Sequence, residues 1–391
     1  MQQATGRKRI EFIDLLRGWA VIVMIQTHVF NATLPDAITG TRFFEVLRFL
    51  DGLVAPSFLF ASGMAYAVTT RRKINDYLAF GPPLFRQFGR LLFIMLIGYG
   101  LHIPKFNYYH LRYEAGALAW QVFWQVDVLQ CIAISLIFLQ VMLLVLRSER
   151  RLYLAMIGLT PAIVFATPLV WSVDFWTFIP VPFASYMNGL HYSLFPVFPW
   201  SAFLFAGALC GYYYQKAKDA GGGDATSPAI GTMMKGFSWF GGGVIALSFL
   251  VHPLAAMIYP NYDYWRFSPS FFMLRLGLVM FLLVLLYAYE RRRGVSPRSV
   301  VALMGRESLL VYTVHLMLVY GKFGYFTFAD RVHRSFGYAE AIVTTIVVMA
   351  LMYGLALAWA RIKAGPPRVK RITQWAIVSA FAIVFFFFPN Y

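Results

Sequence analysis

The sequence predicts an all-α fold, a polytopic integral membrane bundle whose N-terminus lies in the cytoplasm. Its 391 residues are 60% hydrophobic and 18% aromatic but only 13% charged, which is too apolar for an ordinary soluble protein. Apolar runs of membrane-spanning length recur along the whole chain. Basic residues cluster after every second run, and this alternation predicts the orientation.

Eleven apolar segments are long enough to be predicted as transmembrane helices, and the last of them is short. We expect one domain over residues 1–391, with six helices in 11–215, a cytoplasmic linker at 216–236 and five helices in 237–388. The predicted helices lie at 11–32, 52–70, 87–103, 120–146, 152–172, 194–215, 237–258, 269–289, 300–320, 340–360 and 372–388.

The charge distribution agrees with this topology. A count along the sequence assigns 25 of the 34 Lys and Arg residues and 8 of the 17 acidic residues to one side, so that side carries the whole net charge of +17. By the positive-inside rule it is the cytoplasmic side. No basic block is interleaved with aromatic residues, so we expect no nucleic-acid partner. The basic clusters are 7–9, 71–73, 147–151, 216–218, 291–293 and 361–371.

Three polar groups interrupt the first apolar segment: Asp14, Arg17 and His28. A charge at the centre of a bilayer costs about 2.5–3.5 kcal/mol on insertion scales. Eleven residues of α-helix rise about 16 Å and return close to the starting angle, so Arg17 and His28 share one face. Because the charges interrupt the run and no small-residue cleavage site follows, we expect this helix to be retained rather than removed as a signal peptide.

This opening helix resembles that of the transmembrane acyltransferase superfamily, in which DLLRG precedes an apolar helix that ends in histidine. Three later stretches are similar to the heparan-α-glucosaminide N-acetyltransferase-like branch, which is related to the acyltransferase-3 proteins. They are VLQCIAISL at 128–136, FPVFPWSAFLFAGALCG at 195–211 and MGRESLLVYTVHL at 304–316. The resemblance implies a helical membrane fold and transfer of an acyl group from acetyl-CoA or another acyl-CoA.

The chain departs from the lysosomal members of that branch. Their catalytic histidine, as the resemblance implies, lies in the loop beyond the first helix, and the position that matches His28 is not histidine. Here the loop 33–51 contains no histidine. If the chain is catalytic, His28 must take this role, as in acyltransferase-3 proteins.

His28 and His315 are the candidate catalytic residues, because both are expected at a similar depth in the outer half of the bundle. The ordinary alternative is a hydrogen-bonded core histidine, but an ionisable residue inside a membrane is a functional candidate by default. Imidazole can act as the general base for an attacking hydroxyl or amine. It can also carry the acetyl group covalently, and the sequence does not choose between these routes.

Arg17, Arg90 and Arg306 are the candidate ligands for the phosphates of coenzyme A, since guanidinium binds phosphate oxygens in a fork. The alternative is that they are ordinary positive-inside residues. Gln130 lies in the VLQ stretch and is expected to bind the acyl carbonyl or the pantetheine amides. Asp127 either orients a histidine or marks the outer interface.

Other groups are assigned structural roles. Asp14, one turn before Arg17, is expected to pair with it, and Glu307 is expected to be solvated. Cys131 and Cys210 lie in apolar runs, so neither a disulfide nor a metal site is expected. SFLFASGMA at 57–65 and AFLFAGALC at 202–210 are similar, which indicates either an internal repeat or small-residue helix packing.

The sequence therefore predicts an acyl-CoA-dependent O- or N-acyltransferase that modifies a glycan or lipid-linked sugar on the outer side. The host membrane is predicted to be a bacterial inner membrane. One alternative is a non-catalytic subunit of a membrane complex, whose aromatic outer loops would form a docking surface. A transporter is the other, although no inverted repeat is evident. The helices expected to wall a pore are 11–32, 52–70, 87–103, 120–146, 194–215 and 300–320.

Overall fold

The protein is a bundle of helices. The computed structural model describes residues 10–224, 226–260, 262–321 and 327–387, and every regular element in these ranges is helical. Within them, seven single helices are long and apolar enough to cross a membrane, and one bent pair would make an eighth. These findings confirm the predicted helical membrane bundle, whereas the total of eleven crossings stays a prediction.

Twelve helices carry the architecture: α1 Glu11–Thr33, α2 Val54–Leu78, α3 Pro82–Gly100, α4 Val128–Leu146, α5 Glu149–Trp171, α6 Val197–Ala220, α7 Pro228–Ile258, α8 Pro269–Arg293, α9 Val300–Arg306, α10 Ser308–Tyr320, α11 Tyr338–Ala364 and α12 Pro367–Phe387. Shorter helical turns lie between them, at Asp36–Thr39, Arg42–Asp51, Pro104–Phe106, His110–Glu114, Ala117–Phe123, Phe175–Thr177, Val181–Ala184, Tyr264–Phe267 and Phe328–Val332.

Several helices begin where the sequence supplies an N-cap. The hydroxyls of Ser148, Ser227, Ser268 and Ser299 each accept a backbone N–H from the first turn of α5, α7, α8 and α9. Two of these serines precede proline at the first helical position, where the missing N–H costs nothing. These local signals explain why α7 begins nine residues before the predicted start at 237.

Two segments that the sequence predicted as continuous helices are broken. The segment 120–146 divides at Asp127, where the backbone is extended. The Asp127 side chain caps α4 by accepting the Val128 N–H at 2.7 Å. The segment 300–320 bends by 88° at Glu307 between α9 and α10. Glu307 is also not solvated as expected: it is buried and forms an ion pair with Lys363 of α11.

The predicted cytoplasmic linker at 216–236 is partly helical, since α6 continues to Ala220 and α7 begins at Pro228. The single-domain division stays a prediction. The basic cluster 7–9 lies outside the described residues, as do residue 225 of the linker and residue 388 of the last predicted helix. The cytoplasmic location of the N-terminus likewise stays a prediction.

The two similar segments at 57–65 and 202–210 pack against each other along α2 and α6. A Cβ at Gly63 would lie 1.9 Å from the Leu204 carbonyl oxygen, and one at Gly207 would lie 2.0 Å from the Phe60 carbonyl oxygen. The two backbones are therefore in direct contact. This arrangement favours the explanation of the similarity by small-residue packing.

Helix α1 lies in the middle of the bundle and contacts α2, α8, α9, α10 and α11. Its beginning packs tightly on α9: a Cβ at Gly18 would lie 1.9 Å from the Val301 carbonyl oxygen, and one at Gly305 would lie 1.9 Å from the Asp14 carbonyl oxygen. These contacts fix the position of the helix that carries both Arg17 and His28.

We predict that Gly63→Val destabilises the protein, because the new side chain would overlap the α6 backbone and force the helices apart. The expected loss of unfolding free energy is about 2–3 kcal/mol. It is measured as a lower midpoint of thermal unfolding in detergent. Gly158→Val in α5 is the control, because nothing lies within 4 Å of a Cβ at that position. Equal midpoints for the two variants would contradict the close α2–α6 contact.

Candidate functional site

The structure brings the two predicted catalytic histidines together. The imidazole rings of His28 and His315 have centroids 5.3 Å apart and planes tilted by 46°. His28 is half-buried and lines two cavities, whereas His315 is completely buried. The two rings therefore differ in access: only His28 faces space that a substrate could occupy.

A hydrogen bond selects the tautomer of a neutral His315 ring. Its Nδ1 donates to the Val311 carbonyl oxygen at 2.8 Å, because a carbonyl oxygen can only accept. Its Nε2 then carries the lone pair, and this buried atom has no hydrogen-bond partner among the described residues. A buried hydrogen-bond acceptor without a partner lowers the stability of the fold, so the position of His315 Nε2 requires an explanation.

The end of α1 is held by α10 through Tyr320. The Tyr320 hydroxyl donates to the His28 carbonyl oxygen at 3.0 Å, and the Tyr320 ring meets the His28 ring edge to face at 5.5 Å. These contacts restrain both the backbone and the ring of His28. A restrained imidazole keeps a fixed direction toward the cavity that it lines.

Asp127 lies beside the histidine pair without being hydrogen-bonded to it. The Tyr312 hydroxyl donates to Asp127 Oδ2 at 3.1 Å, and His102 Nε2 lies 3.7 Å from the same oxygen. The Gln125 amide nitrogen is 3.1 Å from His102 Nε2. Asp127 therefore approaches a histidine that the sequence analysis had not selected, His102, rather than His28 or His315.

Two cavities meet at His28. The larger has a volume of about 560 Å³ and the smaller about 240 Å³, and both are lined by His28, Asp127 and Leu194. Residues of α1, α2, α3, α4, α6 and α10, and of the turn after α3, contribute to their walls. That these helices wall a pore stays a prediction. Helix α8 joins them through Arg275, which the sequence analysis had not included.

Asp51 lines the smaller cavity together with Arg275. Burial raises the pKa of Asp51 to about 6, while the nearby Thr27 and Gln26 side chains oppose part of that rise. Its Oδ1 atom is buried and has no hydrogen-bond partner within the described ranges. Burial thus favours the protonated form of this carboxyl group more than water does.

The three candidate arginines lie toward the opposite end of α1 from His28. The charges of Asp14 and Arg90 both act on Arg17. Gly305, which precedes Arg306, packs directly on the turn from Asp14 to Gly18. Arg90 is exposed and Arg306 is half-buried. The Arg90 charge of α3 therefore acts on Arg17 of α1, and the α9 backbone just before Arg306 lies against the same turn of α1.

Gln130 is completely buried, and neither its Oε1 nor its Nε2 atom has a partner among the described residues. A Cβ at Gly98 of α3 would lie 2.6 Å from the Gln130 amide group, so the side chain packs against that glycine. It is not a wall residue of either cavity described above. Its predicted role in binding the acyl group stays a prediction.

Metal chemistry and disulfides find no support in the described part of the chain. No group of three or more His, Cys, Asp and Glu residues there could hold a metal ion. Cys131 and Cys210 are both buried and free. The candidate site is thus built from imidazole, carboxyl, phenol and guanidinium groups.

Sequence reasoning missed four cavity residues: Asp51, His102, Arg275 and Tyr312. A signal was present for Arg275, because it interrupts the apolar segment 269–289 as Arg17 interrupts the first. For Asp51 and His102, which lie at the ends of apolar segments, position alone does not separate a site residue from an interfacial one. Tyr312 has no distinguishing sequence pattern.

The comparison with protein families gives one match. A family model described as heparan-alpha-glucosaminide N-acetyltransferase, catalytic, matches residues 9–253. The matched region contains His28, Arg17, Arg90 and Gln130, whereas Arg306 and His315 lie beyond it. No curated protein matches the chain.

We predict that Asp51→Asn changes how stability depends on pH. The pKa of Asp51 is raised above 3.8 on folding, so its contribution to stability is greatest below pH 3.8 and is lost as the pH rises through about 6. The midpoint of thermal unfolding of the variant, relative to that of the native protein, should therefore increase across this range. Glu45→Gln, an exposed change in the same short helix, is the control. A difference that is constant with pH would contradict the assignment.

Proposed function

The chain belongs to the heparan-alpha-glucosaminide N-acetyltransferase catalytic family, and from this premise we propose the specific reaction that it catalyses. It takes an acetyl or other short acyl group from acyl-CoA on the cytoplasmic side and transfers it to a glycan or lipid-linked sugar on the outer side. The observation that carries the proposal is the pairing of His28 with His315 beside two cavities.

His28 accepts the proton of the attacking group and then donates it to the leaving sulfur. As the acceptor oxygen or nitrogen attacks the thioester carbonyl carbon, its proton passes to the His28 ring. Collapse of the tetrahedral intermediate then breaks the C–S bond, and the proton moves from His28 to the sulfur of coenzyme A. In the covalent route, a nitrogen of neutral His28 attacks the thioester carbonyl carbon and the C–S bond breaks, while the proton on the other ring nitrogen passes to the sulfur to give coenzyme A as the thiol. The acceptor hydroxyl or amine then attacks the acyl carbon, the C–N bond to His28 breaks, and the proton of the acceptor returns to the ring.

His315 acts as a positioning residue. Its Nδ1–H is fixed by the Val311 carbonyl, and its ring lies against His28 without reaching the cavities. The Nε2 lone pair of a neutral His315 would stabilise, through the ring dipole, the positive charge that develops on His28 when it takes a proton. Tyr320 and the α10 backbone keep the pair in place.

The bundle supplies conditions that favour thioester transfer over hydrolysis. The walls of the two cavities include apolar side chains: Leu194 in both, Leu316 in the larger and Phe58 in the smaller. Exclusion of water from such a site protects the thioester and strengthens its electrostatic interactions. The partners are therefore the bilayer, acyl-CoA and the acceptor, in a membrane that we propose is a bacterial inner membrane.

Arg17, Arg90 and Arg306 would bind the phosphates of coenzyme A at the other end of α1. The rise of about 16 Å between Arg17 and His28 leaves room for the pantetheine arm to run along the helix. Gln130, buried in α4 with an unpartnered amide, would meet the amides of that arm. A passage joining the arginines to the histidines is part of this proposal.

We predict that His28→Ala abolishes transfer and preserves donor binding. In sealed inside-out vesicles with radiolabelled acetyl-CoA, binding should stay within about twofold of native, and label transfer should fall by about 10²–10⁴-fold. His191→Ala, a change of an exposed histidine, is the control. Label that accumulates on the native protein without acceptor would identify the covalent route. The absence of saturable binding in native vesicles would contradict the enzyme proposal.

We predict that Arg17→Gln and Arg90→Gln each raise the KM for acetyl-CoA by about tenfold, because each removes a charged contact to phosphate. The KM for S-acetyl-N-acetylcysteamine, which has no phosphate, should not change. Arg86→Gln, an exposed position on the same helix as Arg90, is the matched control. Equal increases in KM for both donors would show that these arginines stabilise the fold rather than bind the phosphates of the donor.

A further inference from the structure

Arg275 has the properties of a ligand-binding cation. It lies in α8, seven residues into the helix, and lines the smaller cavity together with His28, Asp51 and Trp200. Among the described residues, no carboxylate lies within ion-pairing distance of its guanidinium. The charge is thus inside the bundle without a counter-ion from the described part of the protein.

The surroundings hold this guanidinium while leaving its donors free. Its carbon lies 3.7 Å from the centroid of the Phe271 ring and 5.8 Å from that of Trp200. These cation–π contacts stabilise the charge and fix its position without using its N–H groups. The Nε atom is buried and has no hydrogen-bond partner in the described ranges.

Gly52 leaves the space that the end of Arg275 requires. A Cβ at Gly52 would lie 2.8 Å from Arg275 Nη2. The chain therefore passes close to the guanidinium at a residue without a side chain, between Asp51 and α2. A larger residue there would push the guanidinium away from its present position.

We propose that Arg275 is a specificity-determining residue that binds an acidic group, a phosphate or carboxylate, of the sugar acceptor. This inference rests on the proposed acyltransferase function. A guanidinium binds such groups through two parallel N–H···O bonds. Because Arg275 and His28 line the same cavity, an acceptor anchored at Arg275 presents its hydroxyl or amine groups on the side of the His28 ring.

Asp51 narrows the class of ligand further. It lines the same cavity and has a buried Oδ1 atom that lacks a partner in the described ranges. A ligand that satisfies both residues carries an acidic group for Arg275 and a hydroxyl or ammonium donor for Asp51. An acidic or phosphorylated sugar has both groups, whereas a neutral sugar or a lipid tail has at most one.

The test compares acidic and neutral sugars as ligands of the purified protein in nanodiscs. Glucosamine 6-phosphate is matched with glucosamine, and glucuronic acid with glucose, and equilibrium binding is measured without donor so that catalysis is not required. The native protein should bind at least one acidic sugar tenfold or more tightly than its neutral partner. Arg275→Gln should remove this difference and leave the affinity for the neutral sugar within twofold.

Further variants and ligands separate anchoring from structural support. Gly52→Ala, like Arg275→Gln, should weaken binding of the acidic sugar. Arg266→Gln, a change of an exposed arginine just before α8, should leave that binding unchanged. A lipid-linked phosphosugar that binds more tightly than the soluble one would identify the lipid as part of the acceptor. Equal binding of acidic and neutral sugars, or equal competition by inorganic phosphate alone, would overturn the inference.

Acetyl-CoA binding, measured on the same preparations, distinguishes failure of the Arg275 assignment from failure of the proposed acyltransferase function. If the native protein binds acetyl-CoA but does not prefer acidic sugars, the assignment of Arg275 is wrong and the proposed enzyme function stands. If acidic sugars bind through Arg275 and acetyl-CoA does not bind, the anion site is supported and the acyltransferase function is contradicted.

Discussion

The packing of α1 against α9 and α10 is the constraint on which the candidate site depends. At one end, backbone contacts at Gly18 and Gly305 leave no space for a side chain between α1 and α9. At the other end, the rings of His28 and His315 meet, and Tyr320 bonds to the α1 backbone. A helix held at both ends keeps its arginine and its histidine at a fixed separation, as a donor that extends between them requires.

Much of the fold could be predicted because membrane helices are long, apolar and strongly patterned. A similar depth for His28 and His315 was also predicted from sequence, whereas the contact between their rings was seen only in the structure. The helix breaks at Asp127 and Glu307 could not be predicted from hydropathy, because each lies at a single polar residue. The Asp127 side chain caps α4, and the Glu307 carboxylate forms an ion pair with Lys363 of α11. Arg275 interrupts an apolar segment, which is a signal in the sequence, but its place at the cavity depends on which face of α8 points into the bundle. A linear pattern does not contain that information.

The buried polar groups of the bundle differ in whether the described part of the fold supplies them with a partner. Glu307 is buried with a lysine partner, so its charge is compensated within the fold. In contrast, His315 Nε2, Asp51 Oδ1 and Arg275 Nε are buried without partners among the described residues, and all three lie at or beside the cavities that His28 lines. Unpartnered buried groups lower stability. Tyr66, Gln140 and Tyr153 are also unpartnered in that part of the chain and line neither cavity. The three groups beside the cavities are therefore candidate ligand contacts because of their position rather than because they lack partners.

The unequal surroundings of the two histidines constrain the reaction. His315 is enclosed and has committed Nδ1 to a backbone carbonyl, so it cannot meet a thioester or a sugar directly. Under the proposed function, proton transfer and any acyl-imidazole therefore fall to His28, the ring that lines both cavities. The two cavities also share Asp127 and Leu194 at their walls, so they adjoin each other at this ring. That proposal accordingly assigns the meeting point of donor and acceptor to the His28 imidazole.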